Sequence, residues 1–268
     1  MKKLLQGKYL IALMLIIFIF AGSAFAADID LGEGYHVPSG FASVLITNSN
    51  GTAIQNAVEH IKDGGTIFLS GSFNLVRSIN IKKNITIKTP SSASAILDAA
   101  SANDRVIRCQ GNITLENLVI KGGNSTNGGG VKVDGGQVNI ISCDINGNKS
   151  ILGGGGIHSQ AVSLTITNCN ISNNSVAAFG GGISSWGSGT VTINNSKFTG
   201  NTAATGGGLA AMNTITMNNC QVTGNSAKQN GGGIYISSAN LTTVNCDISG
   251  NTAAESADIA LDDGAILK

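Results

Sequence analysis

The sequence predicts an all-β chain built as one right-handed parallel β-helix. It is a single solenoid of roughly 25-residue coils with a short N-terminal capping helix. Three observations predict it. A glycine triplet recurs at a nearly fixed step: Gly128-Gly129-Gly130, Gly154-Gly155-Gly156, Gly180-Gly181-Gly182, Gly206-Gly207-Gly208 and Gly231-Gly232-Gly233. An aliphatic residue follows each one: Val131, Ile157, Ile183, Leu209 and Ile234. Apolar positions between triplets alternate with Thr, Asn, Asp and Lys, which is the period of a strand.

The repeat unit reads as strand, Asn corner, strand, Gly-Asn corner, Gly-rich turn, strand. Ile113, Val138, Leu164, Val191, Ile215 and Leu241 open the first strand of successive units. Asn117, Ser142, Asn168, Asn195, Asn219 and Asn245 mark the first corner. Leu118, Cys143, Cys169, Ser196, Cys220 and Cys246 come next, and two residues on stand Ile120, Ile145, Ile171, Phe198, Val222 and Ile248. The second corner is Gly147-Asn148, Asn173-Asn174, Gly200-Asn201, Gly224-Asn225 and Gly250-Asn251, residue types that tolerate positive φ. Three short strands per unit cannot close on themselves; stacked coil on coil they give three parallel sheets around one core. Parallel crossovers are overwhelmingly right-handed. Asn168, Asn195, Asn219 and Asn245 are expected to form a hydrogen-bonded ladder that satisfies buried corner amides. A phosphate-binding loop is excluded, because a strand and not a helix follows each triplet and no Lys recurs after it.

The flanks follow from local signals. Lys2, Lys3 and Lys8 precede an apolar run from Tyr9 to about Ala21, and Ala24-Phe25-Ala26 supplies small residues for cleavage. Residues 1–26 therefore read as a signal peptide. Residues 27–65 read as an N-terminal segment ending in the capping helix. There Thr52-Ala-Ile-Gln55 is a capping-box pattern, Ile54, Ala57, Val58 and Ile61 share a face, and Gly64-Gly65 ends the helix. Residues 66–268 read as the β-helix, with repeats best defined over 113–259 and irregular first coils at Thr66–Leu69, Ile79–Ile81 and Ile85–Ile87. At the far end Ala257-Asp258-Ile259 replaces the triplet, and Asp262 and Asp263 guard the last rung against edge pairing.

The pairing of GGG[IVL] with [FIV]-x-x-N resembles the repeats of polymorphic outer membrane proteins, the chlamydial-type surface proteins with GGA[ILV] and FxxN tetrads. Phe198-Thr-Gly-Asn201 followed by Gly206-Gly-Gly-Leu209 is the nearest copy; elsewhere Ile or Val replaces Phe and Gly replaces Ala. The resemblance covers roughly Ile113 to Asn251, and from Thr66 on the chain is similar to the pectate-lyase-like β-helix superfamily. It implies an adhesin-like protein, exported to the cell surface or outer membrane, secreted, or held in the periplasm. Relatives of the first kind are usually carried by a C-terminal autotransporter barrel. Here no barrel, sortase-type tail or membrane anchor is expected.

Composition narrows the function further. Charged residues make up 12% and the formal net charge is +1. Without Lys2, Lys3 and Lys8 the balance is −2, which excludes a nucleic-acid binder by charge. No cofactor or metal is expected, and the protein is expected to be a monomer. From Ile145 to Cys246 there is no Asp or Glu, so the solenoid body lacks the carboxylates that glycoside hydrolases and Ca²⁺-dependent lyases use. Asp98 and Asp104 fall in a looped segment, where solvated carboxylates are expected in place of an acid/base pair, and Arg108 reads as outward. Cys143, Cys169, Cys220 and Cys246 share one rung position with Ser196 in the gap. Rungs lie ~4.8 Å apart and disulfide Cβ atoms want ~3.8 Å, so a reduced thiol ladder is expected, with Cys109 free in another stack.

Three functions remain open. One is a non-enzymatic binder of glycan or of a host or envelope surface through a solenoid flank. The second is a polysaccharide lyase- or hydrolase-like enzyme, or a degenerate relative. The third is a structural spacer. For the binder, the candidate face is Trp186, Tyr235, His158 and Gln160, with the sole tryptophan as a stacking platform and His158 as an outward surface residue.

Overall fold

A computed structural model describes residues 40–47, 51–91 and 93–268. The signal peptide at 1–26 and the segment 27–39 lie outside the described residues. The rest forms a parallel β-solenoid of about nine turns. The chain opens with β1 (Phe41–Thr47), continues through the helix α1 (Gly51–His60), and enters the long strand β2 (Ile61–Asn74). β1 pairs parallel to β2, with Val44 opposite Ile67 and Ile46 opposite Leu69. The solenoid thus begins at Phe41, ahead of the expected Thr66. The alternation that signals it is Val44 and Ile46, both buried.

α1 covers the open end of the bore with Ala53, Ile54, Ala57 and Val58, all buried. It stops at His60, short of Gly64-Gly65. The physical cause lies in the next coil: Lys83 Nζ donates to Glu59 O (2.6 Å) and Ile61 O (2.7 Å), capping the last carbonyls as Ile61 joins the sheet. The Gln55 side chain faces the solenoid, where its Oε1 accepts from the Asn80 amide at 2.8 Å.

Three long ladders run the length of the molecule. The first holds the column Ile113, Val138, Leu164, Val191, Ile215 and Leu241, paired residue for residue. The second carries Ile120, Ile145, Ile171, Phe198, Val222 and Ile248. The third carries Ile107, Val131, Ile157, Ile183, Leu209, Ile234 and Ile259. Burying each such side chain stabilises by about 1.5–3 kcal/mol, so each added rung extends one continuous core. A fourth, short ladder was not anticipated. It joins Asn124–Asn127, Lys149–Gly153, Ser175–Val176, Thr202–Ala203 and Ser226–Ala227. Its strands are two to five residues of mostly polar or small side chains, with no apolar alternation to signal them.

The triplets are corners, for two separate reasons. The first glycine takes positive φ, as Gly206 does at 67°. The second has ordinary φ, but a Cβ on Gly207 would run into the backbone oxygens of Gly232 and Ser226 in the next coil. Only a bare backbone lets coils stack this closely.

The asparagine rows divide differently from the expectation. Asn168, Asn195, Asn219 and Asn245 are exposed and adopt φ of 49–56° at the first corner. Asn219 donates to Asn195 at 3.2 Å and Asn245 to Asn219 at 3.4 Å, in contact with solvent. The buried ladder is the second-corner row Asn148, Asn174, Asn201, Asn225 and Asn251. Positive φ falls on the residue before each of these, for example Gly200 at 65°, which turns the following Asn inward. Asp258 closes this ladder by accepting from the Asn251 amide at 3.2 Å and its side chain at 2.9 Å. Cys143, Cys169, Ser196 and Cys220 are buried and Cys246 is half-buried; all five cysteines of the chain are free thiols.

Candidate functional site

The outward column of the third ladder is Asn80, Arg108, Lys132, His158, Ser184, Ala210, Tyr235 and Ala260. At its N-terminal end the column is charged. Asp134 bonds Arg108 Nε, and Lys132 Nζ lies 3.0 Å from its other oxygen. Burial works against ionisation of Asp134, but these two cations hold its carboxyl below the usual range. Arg105 is tucked beside them, with a buried Nε that has no hydrogen-bond partner among the described residues. Asp98 and Asp104 do not meet. Asp98 pairs with Lys121 at 3.2 Å, and Asp104 accepts from the amides of Ser78 (3.2 Å) and Arg105 (2.7 Å).

The middle of the column is covered. His158 is only 5% exposed, not the surface residue expected. Its Nδ1 lies 3.1 Å from Ser184 Oγ. Burial, then repulsion from Lys132, drives its pKa down to about 4, so the ring is neutral near pH 7. The cover is aromatic: Trp186 meets His158 edge-on at 6.2 Å and Phe179 edge-on at 5.4 Å. Phe179 comes from the fourth ladder's side, bridging Gly153 and Thr205. Its role carried no periodic signal, since no other coil places an aromatic there.

The four expected face residues therefore do not form one surface. His158 lies beneath Trp186. Gln160 is exposed, one coil before Trp186. Tyr235 stands two coils from Ser184, with Ala210 between, and its hydroxyl donates to Asp262 at 3.0 Å. Burial followed by that bond raises its pKa.

A different surface does surround Trp186. Asp134, Gln160, Trp186 and Met212 hold equivalent positions on successive coils, each amide bonded to the strand before it. Trp186 is half-buried and Met212 is 48% exposed, so an apolar strip two coils tall faces outward. Beside it, the turns between the third and first ladders form an open groove of about 410 Å³. Ser188, Thr190, Met212, Asn213, Ser238 and Asn240 line it, and the lining is mostly polar. Among the described residues no cluster of His, Cys, Asp and Glu is suited to hold a metal.

The family model of the right handed beta helix region matches residues 105–265, more than half of the chain. Among curated proteins none matches the sequence. Among solved structures, one match is the alginate lyase from Paenibacillus sp. str. FPU-7, at 15% identity and a TM-score of 0.31. It covers 84% of this chain and 99% of that one.

Proposed function

From the premise that this chain belongs to the right-handed β-helix family, we propose that it is an exported, non-enzymatic protein that binds a surface glycan on the flank around Trp186. The observation that carries this reading is the Trp186–Met212 strip standing beside a polar groove. Sugar rings offer an apolar face and a hydroxyl edge, and this flank offers a partner for each. Trp186 is buttressed by Phe179 and His158, so its ring is held in place before a ligand arrives. That preorganisation lowers the ordering cost of binding.

The charged groups favour binding over bond cleavage. Asp134 is committed to two cations, Asp98 to Lys121, and His158 is neutral and covered. A general acid or base must reach the proton it moves. A second reading rests on one observation: Arg105, Arg108 and Lys132 gather around Asp134, where a carboxylate-bearing sugar would find cations. In that reading the protein is a carbohydrate-active enzyme of the β-helix kind.

Incubating the mature chain with polysaccharides separates the two readings. Retention of the protein on a glycan whose chain length stays constant supports the binder. Release of shortened or unsaturated products establishes the enzyme.

A further inference from the structure

Resting on the glycan-binding reading, the structure assigns the ligand's class: we infer that the groove beside Trp186 takes an uncharged oligosaccharide. Three observations meet there. First, the groove crosses four successive turns, at 187–190, 212–214, 238–240 and 263–264. At about 4.8 Å per coil it extends over roughly 14 Å, the length of a short chain and not of one ring.

Second, hydroxyl and amide groups dominate the lining: Ser188, Thr190, Asn213, Thr214, Ser238 and Asn240. No Lys or Arg lines it, and its one ionisable side chain is Asp263, which accepts from Ser237 Oγ at 3.1 Å. A uronate or sulfate entering here would meet a like charge and no counter-ion. The cations of the third ladder, Lys132 and Arg108, stand two and three coils before Trp186 and are already bonded to Asp134.

Third, the wall of the groove is built before a ligand arrives. Asn213 is only 8% exposed, and its Nδ2 donates to Gly189 O at 2.8 Å, which ties the 212–214 turn to the 187–190 turn. Met212, 48% exposed in the lining, supplies the apolar side on which a sugar ring rests.

The test titrates the mature chain with xylohexaose, cellohexaose and maltohexaose, and in parallel with hexagalacturonate. The expected result is binding of at least one neutral hexasaccharide, about tenfold or more tighter than hexagalacturonate. Thr214→Arg, at an exposed groove position, is expected to weaken that binding tenfold or more while leaving the urea midpoint unchanged. Tighter binding of hexagalacturonate overturns the inference. So does neutral binding that survives Thr214→Arg yet is lost in Trp186→Ala; in that case the flank is right and the groove is wrong. Absence of binding to all four sugars overturns both the groove and the glycan-binding reading.

Discussion

Asn201 hydrogen-bonds in both directions along the solenoid. Its side-chain amide donates to Asn225 Oδ1 at 2.9 Å and to Ile171 O at 2.8 Å, while its Oδ1 accepts from the Asn174 backbone amide at 3.0 Å. Asn174, Asn225 and Asn251 repeat the arrangement, so one side chain per coil serves the corner amides of its neighbour. Replacing Asn201 by Ala strands several buried groups at once.

Asn201→Ala is therefore expected to cost at least one orphaned-group penalty, about 1–3 kcal/mol, in urea unfolding. Asn195→Gly is the control. Asn195 is exposed with φ 49°, a conformation glycine adopts freely, so the change is expected to be neutral within roughly 0.5 kcal/mol. Equal costs for the two variants would mean that the buried ladder does not hold the corners.

The glycines separate sterics from backbone conformation. Gly207→Val is expected to cost about 3 kcal/mol or more, because the added atoms displace carbonyls of the next coil. Gly224 has φ 66° but open space around it, so Gly224→Ala is expected to cost only the left-handed penalty of roughly 1–2 kcal/mol. A larger loss at Gly224 than at Gly207 would contradict close stacking at the triplets.

His158 makes stability depend on pH in a defined window. Its pKa is 6.5 in an unfolded chain and about 4 in the fold. The unfolded state binds the extra proton between those values. The stabilisation is complete above pH 6.5, falls as the pH drops toward 4, and amounts to up to about 3 kcal/mol. Asp134 is depressed below the ordinary carboxylate value of 3.8, so its contribution is lost only at lower pH. His158→Gln is expected to flatten the urea midpoint between pH 6.5 and 4. An unchanged slope in the variant would assign that dependence to other groups.

The cysteines are expected to persist as thiols. Hydrogen bonding to Cys169 and burial raise the pKa of Cys143, and burial lifts Cys220 to about 11. Thiolate, the reactive form, is therefore scarce at Cys143 and Cys220; at Cys169 the bond from Cys143 lowers the pKa, but the sulfur is buried away from reagents. In native protein Cys246, half-buried, is expected to alkylate first and the other four only on unfolding. Cys143–Cys169 crosslinked in most molecules, seen by mass spectrometry without reduction, would contradict this.

What repeated in the sequence was legible, and what occurred once was not. The triplets, the apolar columns and the cysteine row each recur coil after coil, so spacing alone placed them. Two asparagine rows share the same period, and period does not say which faces inward. The Gly ahead of Asn201 or Asn225 carries that information, because it takes the positive φ and frees the next residue to turn in. Alternation read Lys132, His158 and Ser184 as one outward row, which is true of the backbone. Burial of His158 comes from Phe179 and Trp186, whose equivalent positions on other coils hold no aromatic residue. The groove was hidden for the same reason: its walls are turns of differing length, two of which are tied by Asn213 Nδ2 donating to Gly189 O.

Trp186 is the only tryptophan in the chain, so its emission reports on the proposed flank alone. Titration of the protein with neutral hexasaccharides, followed by that emission, is the most direct test. A saturable change in intensity or wavelength, lost when Thr214→Arg fills the neighbouring groove, is the predicted result. Glycan retention on the protein with Trp186 emission unchanged throughout would contradict it, placing the ligand on another face of the solenoid.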